Sequence, residues 1–154
     1  MVEIKKNKKV WGNGLVKMKK VLVFGTFDLF HPGHDFFLKK AKEYGDILEV
    51  VVARDETVKE IKKEYPLNDE IKRFENVKEL DYVDNVYFGS EGEDKYKIIE
   101  ELKPDVICLG YDQYSFTEGL KEILNERGLN PKIVKIRGFK INEYKSSIIR
   151  SKMS

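Results

Sequence analysis

Cysteine is almost missing from this sequence, in which Cys108 stands alone. One cysteine excludes an intramolecular disulfide and a cysteine-based zinc cluster. It lies in the apolar run "DVICLG", the setting of a buried structural thiol rather than of a nucleophile. Long apolar runs are missing too. None approaches the roughly 20 residues that a membrane span needs, and the N-terminal lysines are not followed by the apolar stretch of a signal peptide. A cytoplasmic protein without a membrane partner is expected. Charge of one sign is absent as well: 29 Lys and Arg against 27 Asp and Glu leave +2, too little for a global field that would argue for nucleic acid. Repeats and low-complexity linkers are not found. Histidine occurs twice only, as His31 and His34.

What remains is a chain of 154 residues, 41% hydrophobic and 36% charged. That length suits one soluble domain with a core of its own. Short β-rich runs alternate with longer helical ones. The runs "VLVFG" (21–25), "ILEVVVA" (47–53), "NVYFG" (85–89), "DVICLG" (105–110) and "KIVKIRG" (132–138) read as strands. Helices are expected over 32–44, from "RDETVKEIKK", after Asn68 as an N-cap, over 94–102, near "FTEGLKEILNERG" and from Ser146. The alternation predicts an α/β fold, a parallel sheet of about five strands with helices on both faces. Strands that are apolar almost throughout agree with burial on both sides. Residues 1–17 have no clear period and read as a basic N-terminal arm, extension or extra edge strand, with the main domain over 18–154. The "GNG" at 12–14 is not a dinucleotide fingerprint, because no strand and helix flank it properly.

Both histidines fall in the loop "GTFDLFHPGH" (25–34), after the first main strand and at the start of a helix. In open α/β sheets ligands bind at such junctions. Gly25 permits a sharp bend or a close approach. Pro32 suits the first helical position, which makes His31 the N-cap and puts His34 in the first turn. Free backbone N–H groups there favour an anion, and two imidazoles beside them can donate to phosphate oxygens. A cap alone, or part of a metal site, are the other local readings. Zinc takes three or four ligands, and no third histidine or cysteine pair is present to complete them.

"GTFDLFHPGH" resembles the signature of the cytidylyltransferase-like nucleotidyltransferases, with its histidines in an H-x-G-H pattern. Two further blocks match: Arg137, then "GFKINEY", then "KSSII"; and Arg73, ten residues before "VDNV". The resemblance covers about residues 18 to 150. It implies a Rossmann-like, HUP-type domain that moves a nucleotidyl group from a nucleoside triphosphate to a phosphate or alcohol and releases pyrophosphate. Within the family, "VVARDETV" and "LGYDQ" look most like the archaeal FAD synthases, which transfer AMP from ATP to FMN. The alternative is a cytidylyltransferase that uses CTP and glycerol 3-phosphate or a similar small phosphorylated alcohol. Those relatives usually carry a Trp where this chain has Gln113 and Tyr114, and their loop between Arg137 and Ser146 is shorter. A nucleotide-binding sensor without turnover is a third reading, opposed by the intact histidine pair and both arginines.

The resemblance also implies roles. His31 and His34 stabilise the α-phosphate, and the backbone of Gly25, Thr26 and Phe27 meets the phosphates. Arg73 and Arg137 are assigned to the β- and γ-phosphates, and Ser146 and Ser147 donate from a helix N-terminus. Gly110 and Asp112 face the nucleoside. Asp28 shapes the loop or orients the acceptor. Lys63, out of the basic run Lys59, Lys62 and Lys63, and Tyr114 are assigned to the acceptor. Mg²⁺ or another divalent cation is expected with the triphosphate, with no metal-binding residue of the protein, and a homodimer is expected by analogy. Phe27, Phe30, Tyr111, Tyr114, Phe116 and Phe139 lie in loops at the presumed ligand end, where a flavin ring needs flat apolar surface.

Overall fold

The structure, a computed structural model, describes residues 3–5, 8–11, 14–110 and 119–137. Its centre is a sheet of five strands, β4 (Lys20–Gly25), β5 (Ile47–Val52), β6 (Asn85–Phe88), β7 (Val106–Gly110) and β8 (Lys132–Ile136). They lie in the order β6-β5-β4-β7-β8 and every adjacent pair is parallel. Helices α1 (Pro32–Lys42), α2 (Asp55–Lys62), α3 (Glu70–Lys78), α4 (Lys97–Leu102) and α5 (Leu120–Glu126) fill the connections. The chain winds outward from β4 through β5 to β6, then crosses back to β7 on the other side of β4. The strand order therefore reverses between β4 and β7, the point at whose carboxyl ends open α/β sheets bind ligands.

Burial explains the composition of the strands. Val21, Val23, Val50 and Val52 face Leu38 and Ala41 of α1 and Val77 of α3. The alternate residues, Leu22, Val51, Ile107 and Leu109, face Ile99 of α4 and Leu120 and Leu124 of α5. With both faces covered, the period-2 alternation of a one-sided sheet is lost and the strands become apolar runs. Cys108 is buried on the first face, and burial pushes its thiol up to about 12. It is a structural thiol, as expected. The exception in the strands is Glu49, buried in β5, whose carboxylate accepts from Tyr87 Oη at 2.9 Å and Asn85 Nδ2 at 3.3 Å.

No strand of the N-terminal segment among the described residues is an edge strand of the main sheet. β1 (Glu3–Lys5), β2 (Lys8–Trp11) and β3 (Gly14–Lys17) form an antiparallel sheet of their own. Trp11 pairs with Gly14 across β2 and β3. The helix expected after Asn68 starts one residue later: Asp69 is its N-cap, and its carboxylate accepts from the Lys72 N–H at 2.8 Å. Asn68 is used elsewhere. The helix expected from Ser146 lies outside the described residues.

Gly45, in the turn before β5, has no room for a side chain. A Cβ there would stand 2.5 Å from Val21 Cγ2 and 2.8 Å from the Lys19 carbonyl oxygen. Backbone on one side and a fully buried valine on the other leave little to yield. Gly45→Ala is expected to lower stability by about 1–3 kcal/mol, read from urea unfolding. An unchanged midpoint would show that the turn can open.

Candidate active site

The loop from Gly25 to His31 leaves β4 at its carboxyl end. Phe27 has φ 54°, a left-handed conformation uncommon outside glycine. That turn drives its ring inward to 4% exposure. A Cβ on Gly25 would meet the ring at 2.5 Å. Gly25 thus permits a close approach, but of the protein's own phenyl ring. The Phe27 side chain belongs to the core and packs edge-on against His34 at 5.4 Å. It offers no face to a flavin. The backbone of Thr26 and Phe27 lies in the loop between β4 and α1.

His31 is the N-cap of α1, and its Nδ1 accepts the Gly33 N–H at 3.1 Å. An accepting Nδ1 carries no proton, so in the neutral ring the hydrogen sits on Nε2. His34, one turn on, stacks against His31 with ring centroids 3.8 Å apart. His31 Nε2 and His34 Nδ1 are buried without a hydrogen-bond partner. Such orphans cost energy in a finished core. Burial holds the His31 pKa below its ordinary value. His34 is lowered to about 4, first by burial and then by the charges of His31 and Lys62. Burial thus disfavours the charged form of both rings.

Arg73 is placed differently from its expected phosphate role. Its side chain is fully buried. Nε donates to Asn68 O at 2.9 Å, and Nη1 donates to Thr26 O at 3.0 Å and Ala53 O at 2.8 Å. Nη2 pairs with Asp55 Oδ1 at 2.7 Å. Four of its five N–H groups are thus spent on protein oxygens. Here the guanidinium braces the signature loop, the end of β5, the start of α2 and the segment before α3. Asp28 also turns inward. Its carboxylate accepts the N–H groups of Leu67 and Asn68, both at 2.8 Å, while Asn68 Nδ2 donates to its carbonyl at 2.6 Å. Asp28 thus ties the signature loop to the segment before α3.

Sequence reading missed Arg54, Asp55, Asn68 and Glu70. Arg54 donates from Nε to Gly89 O at 3.0 Å and from Nη1 to Glu70 Oε2 at 3.1 Å. Its guanidinium lies 4.6 Å from the Phe88 ring centroid. Glu70 Oε1 accepts the Asp55 N–H at 2.9 Å and so caps α2 from the neighbouring helix. The available signal was position: Arg54 and Asp55 directly follow a buried strand, where ligand-end residues of this fold occur.

Gly110 ends β7, and the exposed Arg137 follows β8, so both lie at the carboxyl edge with the histidine loop. Lys63 closes α2 in a left-handed conformation and is exposed. Asp112, Tyr114, Ser146 and Ser147 lie outside the described residues, as do Tyr111, Phe116 and Phe139. Among the described residues no group of three or more His, Cys, Asp or Glu could hold a metal ion. Asp28 and Asp55, the carboxylates on the loop frame, are taken up by N–H groups. The described residues thus do not form a metal cage.

Comparison with known proteins bears on this geometry. The profile of the cytidylyltransferase-like family matches residues 22–152. The FAD synthase of Methanobrevibacter ruminantium is 44% identical over 131 residues, which are 83% of this chain and 86% of that protein. The FAD synthase of Ferroglobus placidus is 49% identical over 120 residues, 78% of this chain and 77% of that protein. A crystal structure of a lipopolysaccharide core biosynthesis protein from Thermoplasma volcanium superposes with a TM-score of 0.75 at 41% identity, over 80% of this chain and 99% of that one. A pantoate-beta-alanine ligase from Francisella tularensis shares the fold, with a TM-score of 0.62 at 21% identity over 82% of this chain and 61% of its own.

The lowered His34 pKa has a stability consequence. Above pH 6.5 the ring is neutral folded or unfolded. Between the ordinary value of 6.5 and the folded value of about 4, the unfolded chain takes up a proton that the folded chain refuses. Stability therefore falls as pH drops through that window, by up to about 3 kcal/mol, and the loss is complete below it. His34→Gln is expected to lose that part of the acid sensitivity, measured by urea unfolding at pH 7 and pH 4.5. Equal pH slopes for variant and wild type would mean that the fold does not keep His34 neutral.

Proposed function

The chain belongs to the cytidylyltransferase-like family, and to the FAD synthases within it; from that premise we propose that it transfers AMP from ATP to the phosphate of FMN, giving FAD and pyrophosphate. One oxygen of the FMN phosphate attacks the α-phosphorus of ATP. A new P–O bond forms to it, while the bond from the α-phosphorus to the bridging oxygen breaks and its electron pair leaves with pyrophosphate. The attacking phosphate is already an anion, so no base has to remove a proton. The reaction asks instead for donors aimed at oxygens whose charge rises in the transition state.

The observation that carries this reading is the histidine pair. The Gly33 N–H fixes the His31 proton on Nε2, that donor has no protein partner, and His34 stacks beside it. Two neutral, preoriented imidazoles at a helix N-terminus suit an α-phosphate that becomes five-coordinate. Arg73 and Asp28 hold the loop that presents them. By the family pattern, Arg137 takes the β- and γ-phosphates, Ser146 and Ser147 donate to phosphate, Gly110 and Asp112 meet the nucleoside, and Lys63 and Tyr114 the acceptor. Mg²⁺ or another divalent cation would be held mainly by the triphosphate and would offset its charge. No helix among the described residues is long and apolar enough to cross a membrane, and the same reading extends to a cytoplasmic homodimer.

With purified protein, ATP and FMN are expected to yield FAD and pyrophosphate, and CTP with glycerol 3-phosphate much less product. His31→Ala or His34→Ala should lower turnover by at least about a hundredfold with the fold intact. Chromatography of products from the two substrate pairs, with circular dichroism of the variants, checks both. A CDP-glycerol peak without FAD would replace this acceptor, and near-normal rates in both variants would remove the catalytic role of the pair.

A further inference from the structure

The net charge of +2 conceals a division along the chain. Residues 1–20 hold seven lysines and a single acidic residue, Glu3, a net +6 that leaves −4 for the rest of the chain. The register of the N-terminal sheet sets part of this charge in order. Lys5 pairs with Lys8 across β1 and β2, and Lys8 pairs with Lys17 across β2 and β3. Residues paired across strands share a face, so the three lysines form one row over the width of the sheet, with adjacent strands about 4.8 Å apart. Like charges directly opposite one another destabilise a sheet. Lysine on an edge strand has a use of its own, because it keeps the edge from pairing with other chains. That accounts for Lys5 in β1 and Lys17 in β3. It does not account for Lys8, since β2 is the central strand of the three. The next lysine of β2 is set differently: Lys9 lies between Ile4 and Val16.

We propose that this lysine row binds the phosphate backbone of a single-stranded nucleic acid. The proposal goes beyond the catalytic site and does not depend on it. β3 leads through Met18 and Lys19 into β4, so the sheet joins the domain at the amino end of the strand whose carboxyl end carries the histidine loop. Cations set in a line are matched by a partner with anions in a line. A nucleic-acid strand has one on every nucleotide, and a single strand can flex to follow a straight row. Asp105 pairs with Lys17 at 3.1 Å, at the end of the row that meets the domain. An anionic membrane is a poorer match. Basic elements that lie on a membrane add a broad apolar face that enters the headgroup layer. The neighbouring row on this face is Glu3, Val10 and Leu15, two apolar residues with a carboxylate at one end. The remainder of the chain, at −4, repels a polyanion and so confines binding to this sheet.

The test is the binding of fluorescein-labelled oligouridine to the full chain, read by anisotropy over a range of salt concentrations. Neutralising three phosphates should give a slope of log K against log salt of about −2, with a dissociation constant of about 1–100 µM at physiological salt. Lys5→Gln/Lys8→Gln leaves the Lys17–Asp105 pair in place and should bring the slope to about −0.7, with binding at least about tenfold weaker. Lys5→Arg/Lys8→Arg keeps the charge and should bind like wild type. Lys121→Gln, at an exposed position of α5, is the control and should also bind like wild type. FAD formation should be the same in all four proteins. Trp11, the single tryptophan and a residue of β2, reports by its fluorescence that the sheet is intact in each. Wild type that does not bind, a slope unchanged in Lys5→Gln/Lys8→Gln, an equal loss in Lys121→Gln, or a loss that the arginine variant shares overturns the proposal. So does binding to phosphatidylserine vesicles without binding to oligouridine, which would give the row to a membrane. A change of mass by light scattering between wild type and Lys5→Gln/Lys8→Gln would give it to a second copy and overturns the proposal as well.

Discussion

The site hangs on one buried charge. Arg73 reaches from α3 into the space under the signature loop and binds the Thr26, Ala53 and Asn68 carbonyls and the Asp55 carboxylate. These oxygens belong to four segments that share no continuous secondary structure. A guanidinium suits this work, since its planar fork donates in several fixed directions at once. A buried cation is costly unless it is paired and hydrogen-bonded, and Arg73 is both. The Asp28 latch and the Glu70 cap on α2 extend the same frame. Loop ends that would otherwise fray are tied side chain to backbone at the carboxyl ends of the strands.

That frame determines what the histidines can do. His31 caps α1 through Nδ1, so its proton is offered from Nε2, and stacking fixes His34 beside it. Burial lowers the pKa of both rings, and the charges of His31 and Lys62 add to the effect on His34. Neutral donors suit a step that moves a phosphoryl group between anions, because they can strengthen their hydrogen bonds as charge builds without first holding the substrate as a tight ion pair. Catalysis in such a site is mainly positioning and electrostatic preorganisation, and Arg73 and Asp28 hold the loop that carries the histidines.

The five main strands, their parallel pairing and the His31 cap were legible in the sequence because local signals and tertiary context agree there. Apolar runs, Pro32 at the first helical position and strand–helix alternation all point one way. Arg73 was found by its spacing to "VDNV" but assigned to phosphate, since nothing local tells that a polar side chain in a helix turns inward. Its partners, three backbone carbonyls and Asp55, converge only after folding. Asn68 illustrates the same limit. It is a good N-cap by type, yet Asp69 caps the helix while Asn68 joins the Asp28 latch. Phe27 looked like a ligand-end aromatic, but its left-handed backbone sends the ring into the core. The N-terminal sheet went unseen because its strands are three or four residues long, too short to show a period.

The most direct measurement is the unfolding free energy of Arg73→Leu in the absence of any nucleotide, by urea titration followed with circular dichroism. If Arg73 is an internal brace, its loss leaves Asp55 and three carbonyls without their donor and lowers stability by about 3–5 kcal/mol before ATP is ever added. An Arg73→Leu protein as stable as wild type, or more so, with only its ATP affinity reduced, would contradict this and return Arg73 to the phosphates.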